Sequence, residues 1–286
     1  MRISLLLSFM LLPVCAGAED LFNVSGLIVN GRGEAVEYVQ VGIPERGIGT
    51  ISSVDGRFEI EVPAETLEFH HVSYETAYLP VTGPAEGLVI VLSNQELPAA
   101  VAIGGDTKEK YLLRPGTRFV GAEGGFDVRE GITKGLELGS VATARKPFLV
   151  KDILFTVLDN YIPGCVVSFN IYRIEGEPEE FINILHKPIY VNIPMSKKRQ
   201  DFDIRPEESL LLEPGRYFVS FALVDCDADA VRQYWETPES ERLAQGLHLY
   251  TPVYFKSSYY RSATLGKLDS IPFNIGISVK GLEFQK

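Results

Sequence analysis

Two tight-turn dipeptides, Asn30-Gly31 and Asp55-Gly56, each between short β-branched runs, set the first constraint on how this chain folds. Glycine accepts φ > 0 in such turns, so both sites read as reversals between strands. Around them lie candidate strands at 22–29, 36–43, 50–54, 57–62, 66–72, 77–82 and 87–92. Phe58, Ile60 and Val62 alternate with Arg57, Glu59 and Glu61, so that strand buries one face and wets the other. Seven strands in about 70 residues predict a β-sandwich.

The centre of this stretch runs from Gly49-Thr50 through Asp55-Gly56-Arg57-Phe58. It is flanked by Val24 to Val29, Asn30 to Ile43, Leu67 to Tyr74, and Leu88 to Leu92 followed by Leu97 to Ile103. The succession resembles the carboxypeptidase-regulatory-like domain, a transthyretin-like seven-stranded sandwich common in envelope proteins of Bacteroidota. His70, His71 and Ser73 depart from that family's pattern. The resemblance implies a non-catalytic module that accompanies other domains. Zinc carboxypeptidases pair a histidine with a glutamate three residues on, and none of His70, His71, His186 and His248 has one. The family's other setting, the N-terminus of TonB-dependent transporters, fails on length. Residues 111–286 number 176, whereas 22 strands of ~10 residues need roughly 220 before any loops.

The domain expectation is a signal peptide at 1–18, the first sandwich at 19–92, a linker at 93–115 and a second β-sandwich at 116–286. Pro98, Gly104-Gly105 and the charged run 106–110 mark the linker, within which Pro98 to Ile103 reads as an edge strand. In the second block, strands are predicted at 136–143, 148–158, 166–174, 181–193, 200–205, 216–225, 248–255 and 271–284. About eight strands of this length point to a jelly-roll-like sandwich. One short helix is predicted at 238–245, capped by Thr237, with Pro238 in its first turn and Gly246 after its end. The fold class is therefore all-β.

Arg2, the apolar run Ile3 to Leu12 and Ala16-Gly17-Ala18 form a signal peptide with cleavage before Glu19. No apolar run is long enough to span a bilayer, so the expectation is an exported protein without a transmembrane segment. Acylation of Cys15 after a lipobox starting at Leu12 ranks second, because Pro13 and Val14 stand where small residues are usual. A net charge of -11 argues against nucleic acid, which needs a dense basic face.

Three groups are candidate sites. Asp225, Asp227, Asp229 and Glu236, with oxygens at alternate positions and a twelfth-position glutamate, echo an EF-hand calcium loop. Ala230 stands where that loop needs glycine, and the competing reading is a solvated acidic loop without a cofactor. Cys165 opens one strand and Cys226 ends another; in an oxidising compartment the pair reads as a disulfide if those strands are antiparallel neighbours. Trp235, Tyr259 and Tyr260 belong to a late aromatic concentration that offers faces for a glycan, against ordinary packing of strand aromatics. The adjacent His70 and His71 should point to opposite faces, with His71 at the edge of the core.

The functional expectation is a non-catalytic envelope module, binding or structural, whose partner is an envelope protein or a glycan. The alternative is a hydrolase acting on envelope or dietary glycans through dispersed carboxylates such as Asp152, Asp159 and Glu175.

Overall fold

The computed structural model describes residues 20–96, 104–114, 119–128, 134–243 and 246–285. The signal peptide with Cys15, and the edge strand expected at 98–103, lie outside the described residues.

The protein is nearly all β, as the turn spacing predicts. The first sandwich holds β1 (Phe22–Asn30), β2 (Gln40–Ile43), β3 (Ile48–Ile51), β4 (Arg57–Val62), β5 (Thr66–His70), β6 (Ala77–Pro80) and β7 (Ala85–Leu92). Its sheets run β4-β1-β7 and β3-β2-β5-β6. The alternation of β4 is realised: Phe58, Ile60 and Val62 are buried, Arg57, Glu59 and Glu61 exposed. Phe58 meets Phe69 of the facing sheet edge-on, ring centroids 5.4 Å apart. Gly56 turns at φ 77°, where a Cβ would stand 2.6 Å from the Ile28 carbonyl oxygen, so no other residue fits this reversal. The strand expected at 36–43 begins only at Gln40, because Tyr38 sits at φ 53°, outside the extended region.

The second block begins with β8 (Thr107–Leu113), β9 (Phe119–Asp127), β10 (Glu137–Ala144), β11 (Phe148–Val157), β12 (Asp159–Asn160) and β13 (Val166–Glu175). There follow β14 (Glu180–Asn183), β15 (Ile189–Asn192), β16 (Gln200–Ile204), β17 (Leu211–Leu212), β18 (Gly215–Asp225) and α1 (Ala228–Glu236). The chain closes with β19 (His248–Tyr254), β20 (Ser258–Arg261), β21 (Asp269–Ile271), β22 (Asn274–Ile275) and β23 (Ile277–Phe284). One sheet runs β14-β13-β18-β10-β20-β21, with β15 also on β13; it faces β16-β11-β23-β8, with β17 also on β11. A smaller sheet, β12-β19-β22 with β9, completes the enclosure. Between them Phe155 packs on Phe169 and Phe221, and Phe126 on Phe221.

The second block differs from the sequence expectation in several elements: β9, β12, β17 and β20 fall outside the predicted strands, and the strand expected at 271–284 is broken into the end of β21, β22 and β23. The stretch read as linker carries β8, which pairs with β23 from Val279↔Leu113 to Phe284↔Thr107. The single strand expected at 181–193 is two, both on β13. Asn183 Oδ1 accepts from the Leu185 N–H at 3.1 Å and turns the chain, and Pro188 has no N–H for a ladder. The helix is α1, ten residues ahead of the predicted start. Asp227 caps it by accepting from Ala230 N–H at 3.0 Å, and Pro238 disfavours helical geometry at Thr237, so the proline stops the helix instead of starting one. A 3-10 turn, Glu239–Glu241, occupies part of the expected span 238–245.

Candidate ligand site between the two sandwiches

On β13, Val167, Phe169 and Ile171 enter the core of the second sandwich, so the intervening Ser168, Asn170 and Tyr172 stand on the opposite face, toward the first sandwich. The same alternation on β18 puts Ser220 on that face between core residues Val219 and Phe221. Glu137 of β10 lies in register with Ala222 of β18 and Arg261 of β20. The sheet therefore carries a polar row across neighbouring strands.

Hydrogen bonds join Glu137, Ser220, Asn170 and Tyr172 in that row, and an ion pair ties Arg261 to it. Glu137, 2% exposed, accepts from Ser220 Oγ at 2.6 Å, Asn170 Nδ2 at 3.1 Å and Tyr172 Oη at 3.3 Å. Arg261 Nε lies 3.3 Å from Glu137 Oε2, and Asn183 Nδ2 donates to Asn170 Oδ1 at 3.1 Å. Burial opposes charge on Arg261 most strongly, but the facing Glu137 carboxylate and the Tyr172 phenol together outweigh it and hold the guanidinium above its ordinary pKa. Burial, with Glu137 beside it, pushes the Tyr172 phenol up, so it stays a donor.

Above this row opens a pocket of about 670 Å³ to which both sandwiches contribute. Asn170, Asn183, Tyr172, Phe181, Tyr190 and Arg261 come from the second. Tyr38, Gln40, His71, Tyr74, Thr76 and Gln95 come from the first. The sandwiches are joined beside it: Tyr38 meets Tyr190 edge-on at 4.8 Å, and Ser73 Oγ donates to the His186 carbonyl at 2.9 Å. Tyr38, Ile51, Val166, Val224 and Tyr190 form a small shared apolar cluster. Both non-glycine residues with positive φ among those described, Tyr38 (53°) and Leu265 (58°), line the pocket. Backbone strain of this kind collects at binding sites.

His71 is set by two contacts. Its Nδ1 accepts from the Ser73 N–H at 3.2 Å, so the neutral ring carries its proton on Nε2, which donates to Tyr190 Oη at 3.3 Å. Burial lowers its pKa to about 4, which keeps it neutral. The expectation that His70 and His71 diverge does not hold at the pocket: β5 ends at His70, the chain turns, and both line the opening.

The residues singled out by sequence lie elsewhere. Asp227 is the cap of α1, Asp225 pairs with Lys134 at 2.7 Å, and Asp229 pairs with Arg232 at 3.0 Å. Glu236 is the last residue of α1. Among the described residues no group of three or more His, Cys, Asp or Glu is arranged to hold a metal. Trp235 packs partly against the main core with Arg242 5.0 Å over its ring, and Tyr260 packs on the same core. Tyr259 instead stacks edge-on against Phe181 and Phe218, its hydroxyl donating to Glu179 at 2.5 Å, so the three rings do not make one platform. Cys165 and Cys226 are brought together as expected, since Val166 pairs with Asp225 and Asp227 N–H bonds Pro163 O at 2.9 Å. Both thiols are buried and unbonded, and burial pushes Cys226 up to about 11 and Cys165 higher still.

Fold and site together define a two-sandwich protein with a polar, aromatic-walled pocket between its halves. No family model matches the chain, and no curated protein matches it. Among solved structures it is similar to a DUF3823 family protein from Parabacteroides merdae, at 9% identity over 90% of this chain and 99% of that one, TM-score 0.22. A DUF3823 family protein from Bacteroides ovatus matches at 10% identity over 71% and 97%, TM-score 0.21. The structure of infectious bursal disease virus Gx strain matches at 7% over 87% and 53%, TM-score 0.32. Superpositions this loose leave the reading of the site to its own geometry.

Proposed function

We propose that this chain is a non-catalytic, exported protein of a bacterial envelope that binds a glycan or protein ligand in the pocket between its sandwiches. One observation carries the reading: a pocket is built jointly by both halves over a buried polar row whose Glu137, Asn170 and Ser220 are hydrogen-bonded to one another. Concave sites with a few convergent polar groups among aromatic walls are the usual form of ligand sites. The likeness of residues 24–92 to the carboxypeptidase-regulatory-like domain supports the envelope setting.

The hydrolase alternative needs two carboxyl groups facing across a cleft. Asp152 is paired with Arg205 at 3.1 Å, Asp159 with His248 at 3.1 Å and Glu175 with Arg173 at 2.7 Å, and none of the three lines the pocket. Their engagement favours binding. Export to an oxidising compartment would convert the Cys165 and Cys226 thiols to a disulfide by exchange with a disulfide-donating oxidant.

The test is capture from native envelope extract by the mature protein and by Gln95→Trp, which fills the pocket from an exposed position on its rim. A ligand retained by the wild type and lost by the variant is the expected result; equal capture by both overturns the assignment of the site. The mass of the mature N-terminus, measured alongside, separates cleavage before Glu19 from an acylated Cys15.

A further inference from the structure

Resting on the pocket as the binding site, we infer that its ligand is a neutral saccharide segment. The charge of the site argues first. Its buried cation, Arg261, is already matched by Glu137 behind it, 3.3 Å away, so no uncompensated positive charge waits for an anion. Glu75 and Glu96 also line the opening and would repel one. His71 adds no charge, because its Nδ1 is committed as an acceptor from Ser73 N–H.

The lining chemistry argues second. Gln40 and Gln95 each offer an amide oxygen and an amide NH₂, Asn170 and Asn183 keep a second lone pair on oxygens that already accept one bond, Asn183 keeps a second N–H, and Tyr hydroxyls both donate and accept. A sugar hydroxyl likewise does both, so every ligand oxygen finds a partner whichever way its proton points. Tyr38, Tyr74, Tyr190 and Phe181 supply rings whose electron-rich faces suit the C–H faces of a pyranose. The volume, about 670 Å³, is within the range of small-ligand sites.

A peptide is disfavoured by topology. Strand addition needs an open edge of unpaired main-chain groups. Three strands that floor the pocket have none: β13 is flanked by β18 on one side and by β14 and β15 on the other, β2 by β3 and β5, and β5 by β2 and β6. Open edges lie only at the wall, on β14 and β15, among the strands that line it. Recognition on the floor of the pocket must therefore come from side chains, which suits hydroxyls better than a backbone.

The experiment applies the mature chain to an array of neutral di- to tetrasaccharides of hexose and N-acetylhexosamine, uronic-acid oligosaccharides, and unstructured peptides, followed by calorimetry on the hits. The expected result is a neutral saccharide whose affinity falls roughly tenfold in Asn183→Leu and is lost in Gln95→Trp. Its affinity should be unchanged between roughly 50 and roughly 500 mM salt, since no charge pair forms. Both variants should melt cooperatively, so that loss of binding is not loss of fold. Tighter binding of uronic oligosaccharides, weakening with salt, overturns the neutrality. Peptide binding that Gln95→Trp abolishes, with saccharides silent, overturns the ligand class and leaves the pocket standing. Saccharide binding indifferent to Gln95→Trp overturns the pocket itself, and silence of the whole array overturns the saccharide.

Discussion

Glu137 is a charged side chain at 2% exposure that depends on four neighbours. Removing it leaves the Arg261 guanidinium buried without its counter-charge, so Glu137→Leu should cost about 3 to 5 kcal/mol in urea unfolding. The double variant Glu137→Leu/Arg261→Met should recover most of that loss, because an apolar pair needs no compensation. His71 gives the stability its pH dependence. Its folded pKa is about 4, below the ordinary 6.5, so as pH falls the unfolded chain takes up a proton before the folded one. Stability should therefore decline as pH drops from 6.5 toward 4 and flatten below, by at most about 3 kcal/mol from this residue at 1.36 kcal/mol per unit. His71→Gln should flatten that stretch of a stability-against-pH curve. A curve unchanged by the substitution would assign the loss to other groups.

Secondary elements carry the next predictions. Asp227 secures the first turn of α1, so Asp227→Ala should cost about 1 kcal/mol in unfolding stability. Calcium should leave the melting temperature unmoved, because the cap and the Lys134 and Arg232 pairs already engage the three aspartates. At the shared end of β13 and β18, protein purified from its native compartment and alkylated unfolded without reductant should carry no label on Cys165 or Cys226; two labels would refute the disulfide. These elements also show how far pattern reading reaches. The first sandwich was legible because β4 alternates cleanly and the reversal before it holds Gly56, a residue with one conformational solution. The helix was not: Asp227 caps while sitting in an acidic run that reads as a metal loop, and Pro238 serves equally well as a start or a stop signal. β8 was hidden because Thr107 to Lys110 are exposed charges and polar residues, whose strand geometry comes from pairing with β23 and not from their own pattern.

For the molecule as a whole, the joint between the sandwiches is set by contact at close quarters. A Cβ on Gly49 would stand 2.5 Å from the Thr264 carbonyl oxygen, so Gly49→Val should force the halves apart. Calorimetry should then resolve two unfolding transitions where the wild type shows one, and saccharide binding should disappear with the joint. The pocket was not legible in the sequence for the same reason: its walls come from residues far apart in the chain, such as Tyr38 and Tyr190, that meet only when two domains dock. A hint did exist in Ser168 and Asn170, polar residues set into the otherwise apolar run from Val166 to Tyr172. The pairing of β8 with β23 has a consequence for biogenesis. Synthesis from the N-terminus delivers residues 107–113 long before 277–284, yet β8 joins the sheet only through β23. One side of β11 likewise stays unpaired until β23 arrives. The first sandwich is free to form early, while the second must wait for its last strand, with an open apolar sheet exposed to holdase chaperones in the interval.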